Sequence, residues 1–179
     1  MGLFIWKFLE RAEQTVLVVV SLTVTFLVMA EVILRYVFAR PLMGIEELAT
    51  LVGCWLYFMG AAHASRERSH IMADVLNAIV KSPRGFLKIK LGITIFTFIM
   101  TIVFLDWAWG YVTWALKIPE YTPSLRIPLI YAQVAMLISA FLMAFYTFVE
   151  MVDYTLQLLG KKEITVKREK DVSLETEQS

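Results

Sequence analysis

Charged residues and cysteine are scarce in this 179-residue sequence. Only 18% of the residues are charged, 59% are hydrophobic, and the formal net charge is +1. The single cysteine, Cys54, excludes an internal disulfide, a redox thiol pair and a cysteine-based zinc site. A chain so close to neutral also has no overall basic field that would attract nucleic acid. The composition is more apolar than a soluble domain tolerates, and it indicates a membrane protein.

Four long apolar runs follow one another along the chain. A helix needs about 20 such residues to cross the hydrocarbon core of a bilayer. Each run is expected to be helical, because lipid offers no partner for an unpaired backbone N–H or C=O. The predicted spans are 15–34, 48–64, 91–116 and 127–149. The sequence therefore predicts an all-α integral membrane protein with one domain over 1–160 and a disordered cytoplasmic tail over 161–179.

Basic residues are distributed unevenly between the two sides of this domain. Thirteen Lys and Arg residues fall on the side of the N-terminus, the middle loop and the C-tail, and four fall on the other side. The positive-inside rule then places both termini in the cytoplasm. Aromatic residues between Trp107 and Tyr121 gather at the outer end of the third span, where such rings favour the headgroup level.

Residues 69–80 have apolar positions spaced as on one face of an amphipathic helix. Basic residues flank the segment, and Pro83 with Gly85 follows it. One interpretation is a helix that lies along the inner membrane surface. The alternative is a cytoplasmic continuation of the second span that packs on a partner.

Ionisable residues near the membrane are candidates for function. Glu31 and Arg35 are spaced i, i+4, so they can form an ion pair on one helix face, as a structural bridge or a contact to another subunit. Glu46 and Glu47 open the second span, where acids favour a helix N-terminus. Because adjacent residues point about 100° apart on a helix, one carboxylate can stabilise the helix N-terminus while the other faces a neighbour or Arg40.

Features of a transport or redox site are missing from the predicted spans. The two histidines, His63 and His70, do not face each other from different helices, so hydrogen bonding is expected rather than haem or metal ligation. No span carries a central acid or a membrane-depth polar cluster, whereas transport sites usually lie near the midplane on interrupted helices. Small residues at i, i+4, such as Ala135 with Ser139, favour close helix packing. The chain is interpreted as an accessory subunit.

Two segments, 31–74 and 122–133, resemble the small membrane subunit (DctQ-like, Q subunit) of tripartite ATP-independent periplasmic transporters, the TRAP family. The resembling positions are Arg35, Tyr36, Glu46, Glu47, Trp55, 60–62, Arg66, His70, Ile71 and Asp74, together with TPSLRIPLIYAQ over 122–133. One position departs from the pattern: Gly44 and Ile45 stand where the family usually has a tryptophan before the acidic pair.

The resemblance implies a three-part importer. A periplasmic binding protein would capture an organic acid, such as a C4-dicarboxylate or sialic acid, and deliver it to a large M subunit driven by an ion gradient, usually sodium. The small subunit would lie in the bacterial inner membrane, extend the static scaffold of the M subunit and help dock the binding protein. No catalytic residue, metal or cofactor is expected in it.

Two groups of site residues follow from this resemblance. The predicted interface or structural residues are Glu31, Arg35, Glu46, Glu47, Trp55, Arg66, His70 and Asp74. The predicted docking residues are Arg40, Lys117, Glu120, Tyr121 and Arg126. Two other classes of function stay open on the residues alone: a self-sufficient four-helix transporter and a redox membrane anchor.

Overall fold

Four long helices make up the described part of the protein. The computed structural model describes the backbone of residues 2–40, 43–79 and 83–159, and the side chains of 8–40, 43–66 and 87–159. The helices are α1 (Gly2–Tyr36), α2 (Ile45–Ile79), α3 (Pro83–Lys117) and α4 (Ile130–Leu158). Each contains a stretch long and apolar enough to cross a membrane. The predicted all-α, four-span class is confirmed.

The helices extend beyond the predicted spans. α1, α2 and α3 each have 35 residues, or about 52 Å at 1.5 Å per residue, against a hydrocarbon core of about 30 Å. α3 begins at Pro83, a position where a helix needs no backbone N–H donor. The predicted tail over 161–179 lies outside the described residues.

Residues 69–79 continue α2 without a break. This agrees with the second of the two interpretations of the amphipathic segment, a continuation of the second span, and not with a separate helix. The physical reason is that neither proline nor glycine occurs between Gly60 and Pro83, so nothing interrupts the backbone hydrogen bonds.

The helices pack as a row in the order α1, α2, α4, α3. α2 contacts α1 on one side and α4 on the other, and α4 contacts α3. α1 is an edge helix, and the most apolar stretch of α1 has no buried residue. α4 lies inside the row and buries Ala135, Ser139, Ala140 and Ala144. These small side chains let the helix backbones approach closely, as their spacing predicts.

Two ends of this row carry most of the polar contacts. The loop end contains the α1–α2 connection, 37–44, and the α3–α4 connection, 118–129. The Arg66 end lies opposite and contains the N-terminal part of α1, the segment of α2 around Arg66, and the C-terminal part of α4.

Candidate functional site

At the loop end, Glu47 joins α2 to the α3–α4 connection. Its two carboxylate oxygens accept hydrogen bonds from the backbone N–H groups of Ser124 and Leu125, at 2.8 and 3.0 Å. Hydrogen bonds to an ionised acceptor are shorter and stronger than neutral ones. Glu47 therefore stabilises a loop 77 residues away in the sequence, besides standing in the first turn of its own helix.

The α3–α4 connection is also stabilised from within. The backbone N–H of Thr122 donates to the carbonyl of Ile127 at 2.9 Å, and the N–H of Ile127 donates to the Thr122 hydroxyl at 3.0 Å. The N–H of Leu129 donates to the carbonyl of Glu120 at 3.0 Å, which closes the base of the loop. Arg126 adopts a left-handed backbone with φ of 52°. These bonds give the loop a defined shape.

The α1–α2 connection touches this loop at Gly44. Gly44 has φ of +110°, a conformation that L side chains rarely adopt, and a Cβ at this position would lie 2.7 Å from Cγ of Leu125. The backbone therefore approaches Leu125 as closely as only glycine allows. This explains why glycine stands immediately before Ile45 and the acidic pair.

The five predicted docking residues all lie at the loop end with exposed side chains. They are Arg40, Lys117, Glu120, Tyr121 and Arg126. Arg40 is on the α1–α2 connection, next to Ala39, which has φ of 50°. The other four are on or beside the α3–α4 connection. The structure thus brings both connections, and these charged side chains, to one end of the row.

The predicted interface residues divide into internal and exposed ones. Arg35 lies 3.9 Å from Glu31, which confirms the i, i+4 ion pair, and the Arg35 side chain is 60% exposed. Glu46 is exposed, in contrast to Glu47 beside it. The indole N–H of Trp55 donates to the backbone carbonyl of Tyr131 at 3.1 Å, so Trp55 joins α2 to α4.

At the Arg66 end, a buried carboxylate joins three helices. Glu13 of α1 is only 2% exposed. It lies 3.8 Å from the Arg66 guanidinium and 3.4 Å from Nδ1 of His63, both on α2, and accepts a hydrogen bond from the Tyr146 hydroxyl of α4. Glu10 of α1 lies 3.2 Å from the other terminal nitrogen of Arg66. We refer to these five residues as the Glu13 cluster.

The Glu13 cluster was not predicted from the sequence. Glu13 lies just before the predicted first span, 15–34, and the most apolar window of α1, which has no buried residue, excludes it. The cluster therefore lies near the ends of the predicted spans. The i, i+3 spacing of Glu10 and Glu13 was the available signal, because such acids share a helix face and can reach one arginine.

His63 and Arg66 both contact Glu13 in this chain. The backbones of His70 and Asp74 continue α2, and their side chains lie outside the described residues.

A small cavity lies beside this cluster, between α2, α3 and α4. Its volume is about 30 Å³, and Ser65, Lys90, Thr94, Thr97, Thr147 and Glu150 are among its lining residues. The Lys90 ammonium lies over the Tyr154 ring, 5.3 Å from its centre. Room for one water needs about 10–15 Å³, so a cavity of this size has room for two or three waters and is too small for an organic acid.

No group of three or more His, Cys, Asp or Glu side chains in the described part of the chain is arranged to hold a metal ion. The polar side chains of both ends instead bind the protein's own helices and loops. The fold defines a multi-pass α-helical membrane protein. Its polar residues at both ends contact the protein's own helices and loops.

Comparison with known protein families identifies the family of this membrane protein. Residues 24–156 match the model of the DctQ component of tripartite ATP-independent periplasmic transporters. The match covers 133 of the 179 residues, and the chain belongs to this family. The family predicted from the sequence is confirmed, and the chain is a membrane component of a TRAP transporter. A search of curated proteins found no match.

Proposed function

We propose that this chain supports the large membrane subunit of its transporter and presents part of the surface on which the periplasmic binding protein docks. The observation that carries the proposal is the stabilised loop end. Glu47 holds the backbone of Ser124 and Leu125, and the same loop exposes charged side chains. A preshaped loop loses little conformational freedom on binding, which favours docking of a folded partner.

The distribution of basic residues supports the orientation in this proposal. With both termini in the cytoplasm of a bacterium, the loop end faces the periplasm, where a binding protein circulates. The charges of Arg40, Lys117, Glu120 and Arg126 would orient that protein through electrostatic complementarity. The exposed Arg35 and Glu46, near the same end, are proposed to contact the large subunit. His70 and Asp74, on the extension of α2, are assigned to the same interface at the cytoplasmic side.

The supporting role is consistent with the shape of the row. A single row of four helices leaves both faces and both edges available for neighbours, and the cavity at the Arg66 end has space only for water. The solute pathway is therefore assigned to the large subunit. The proposed cargo is an organic acid such as sialic acid or a C4-dicarboxylate, taken up with an ion gradient, which we propose to be sodium.

Reconstitution tests the division of labour. The chain, the large subunit, or both are incorporated into proteoliposomes, and uptake of labelled sialic acid and succinate is measured with and without the binding protein and a sodium gradient. Uptake is expected only when both membrane chains and the binding protein are present. Uptake by this chain alone would refute the supporting role.

Separate substitution of two adjacent acids, Glu46 and Glu47, tests the docking role. Glu47→Gln removes the charge that holds Ser124 and Leu125, whereas Glu46→Gln removes an equal charge from an exposed side chain. Glu47→Gln is expected to raise the concentration of binding protein needed for half-maximal uptake, without loss of the complex of the two membrane chains. Equal effects of the two substitutions would show that the loop shape does not matter for docking.

A further inference from the structure

Asp106 is a carboxylate inside the predicted third span, directly after the uncharged apolar run 91–105 of α3. It lies 11 residues before Lys117, the end of α3, which is about 16 Å along the axis. In the other direction it lies 16 residues, or about 24 Å, from Lys90. The intervening residues on both sides, 91–105 and 107–116, carry no charge. Asp106 therefore lies inside the third span, about 15 Å from its outer end at residue 116, and the expectation that no span carries a central acid is wrong for α3.

Within the described residues, the Asp106 side chain is exposed and makes no hydrogen bond or ion pair. The acids of α1 differ, since Glu31 pairs with Arg35, and Glu10 and Glu13 both lie beside Arg66. An unpaired carboxylate in hydrocarbon is unfavourable, and ionisable residues in spans normally pair with another group. The partner of Asp106 must come from outside the described part of this chain.

The residues around Asp106 form a face suited to close helix contact. Ile99, Ile102 and Val103 are exposed and lie within about 60° of Asp106 around the helix axis. Gly110, one turn further along, is exposed, and a Cβ built on it would have no atom within 4 Å. A glycine in this position lets a neighbouring backbone approach, which drives helix association in membranes. We call these five residues the Asp106 face.

The Asp106 face points away from the rest of the protein. The α3 residues buried against the row include Thr101, Ala108 and Val112, which lie about 120–160° from Asp106 around the axis. α3 is at the edge of the row and packs on α4. Nothing in the described residues covers the opposite side of α3.

We propose that a transmembrane helix of the large subunit packs on the Asp106 face and presents a basic side chain that pairs with Asp106. This proposal rests on the proposed function, because it requires the large subunit as a neighbour. The negative charge selects a basic group rather than the phosphate of a lipid, and the depth of Asp106 selects a membrane-embedded partner. Gly110 provides the close approach that a short side chain such as aspartate needs in order to reach that partner.

Photo-crosslinking in the co-expressed complex tests the contact directly. A benzophenone amino acid replaces Ile102 on the Asp106 face or, as a control, Met100, which is exposed about 120° from Asp106 on the same helix. After irradiation of membranes, the Ile102 probe should form an adduct with the large subunit, and the Met100 probe should form less. A complex that forms normally while the Ile102 probe labels only lipid would overturn the inference and leave the proposed function intact.

Charge removal tests the role of Asp106. Asp106→Asn keeps the size of the side chain, and Glu150→Gln is the control, an acid of another helix that already accepts a hydrogen bond from the Tyr154 hydroxyl. Asp106→Asn should lower recovery of the complex about tenfold in detergent, since an uncompensated buried charge remains on the partner, while Glu150→Gln should change it little. Equal losses, or no loss, would overturn the pairing.

Two further outcomes are distinguishable. If Asp106→Asn prevents the chain from folding, the Ile102 adduct in the unsubstituted background decides the inference alone. If the unsubstituted chain forms no complex with the large subunit, the proposed function itself fails.

Discussion

Replacing Glu13 by glutamine should destabilise the protein more than replacing Glu10, although Glu10 lies closer to the shared arginine. The distances to Arg66 are 3.8 Å from Glu13 and 3.2 Å from Glu10. The side chain of Glu13 is 2% exposed, whereas that of Glu10 is 41% exposed. Burial, and not distance, is expected to decide the outcome, because water screens an exposed pair.

The expected loss of unfolding free energy depends on which groups each substitution leaves unpaired. Removing one partner of a buried ion pair costs about 3–5 kcal/mol when the other charge is left uncompensated. Here Glu10 still faces Arg66, and glutamine keeps one oxygen for the Tyr146 hydroxyl, so Glu13→Gln should cost less, about 2 kcal/mol. That loss lowers the ratio of folded to unfolded protein by about 30-fold. Glu10→Gln should cost under about 1 kcal/mol.

The assay is reversible unfolding of the purified chain in mixed micelles, as SDS is titrated and helix content is followed by circular dichroism. Glu13→Ala sets the upper limit, about 3–5 kcal/mol, because it removes both oxygens as well as the side-chain volume. If Glu10→Gln were as destabilising as Glu13→Gln, the argument from burial would be refuted, and the shorter contact would be the important one.

The spans could be predicted from the sequence because hydropathy is a local property. Each apolar run identifies its helix without any knowledge of its neighbours, and the four runs correspond to α1–α4. The full helix lengths could not be predicted in the same way. The extensions of α1, α2 and α3 beyond the predicted spans contain charged residues, so no continuous apolar run identifies them, and only the extension of α2 was predicted, from its amphipathic periodicity.

Polar contacts within one helix could be predicted from the sequence, whereas polar contacts between helices could not. Glu31 and Arg35 are four residues apart, so helix geometry alone predicts their ion pair. Glu13 contacts partners 50 and 133 residues away, and Glu47 contacts backbone groups 77 and 78 residues away. Such contacts depend on which helices are neighbours in the row. A single sequence does not specify that order, because all four helices are apolar and lipid solvates them equally well.

Three further substitutions test the ends of the row. Gly44→Ala should destabilise the loop end, because alanine is strained at φ of +110° and its Cβ would lie 2.7 Å from Leu125 Cγ. Amide hydrogen exchange across 118–129 is expected to become faster. Unchanged exchange would contradict the close approach of Gly44 to Leu125. Thr122→Ala should speed exchange of the Ile127 amide by removing its hydroxyl acceptor, whereas Thr23→Ala, an exposed site on α1, should not. Tyr146→Phe should cost about 1–3 kcal/mol in SDS unfolding, because the hydroxyl donates to the buried Glu13 carboxylate. In the Glu13→Ala background the same change should cost at least about 0.5 kcal/mol less, since the acceptor is already gone. Strict additivity of the two losses would mean that the hydroxyl stabilises α4 independently of Glu13, and that the Glu13 cluster does not join α1 to α4.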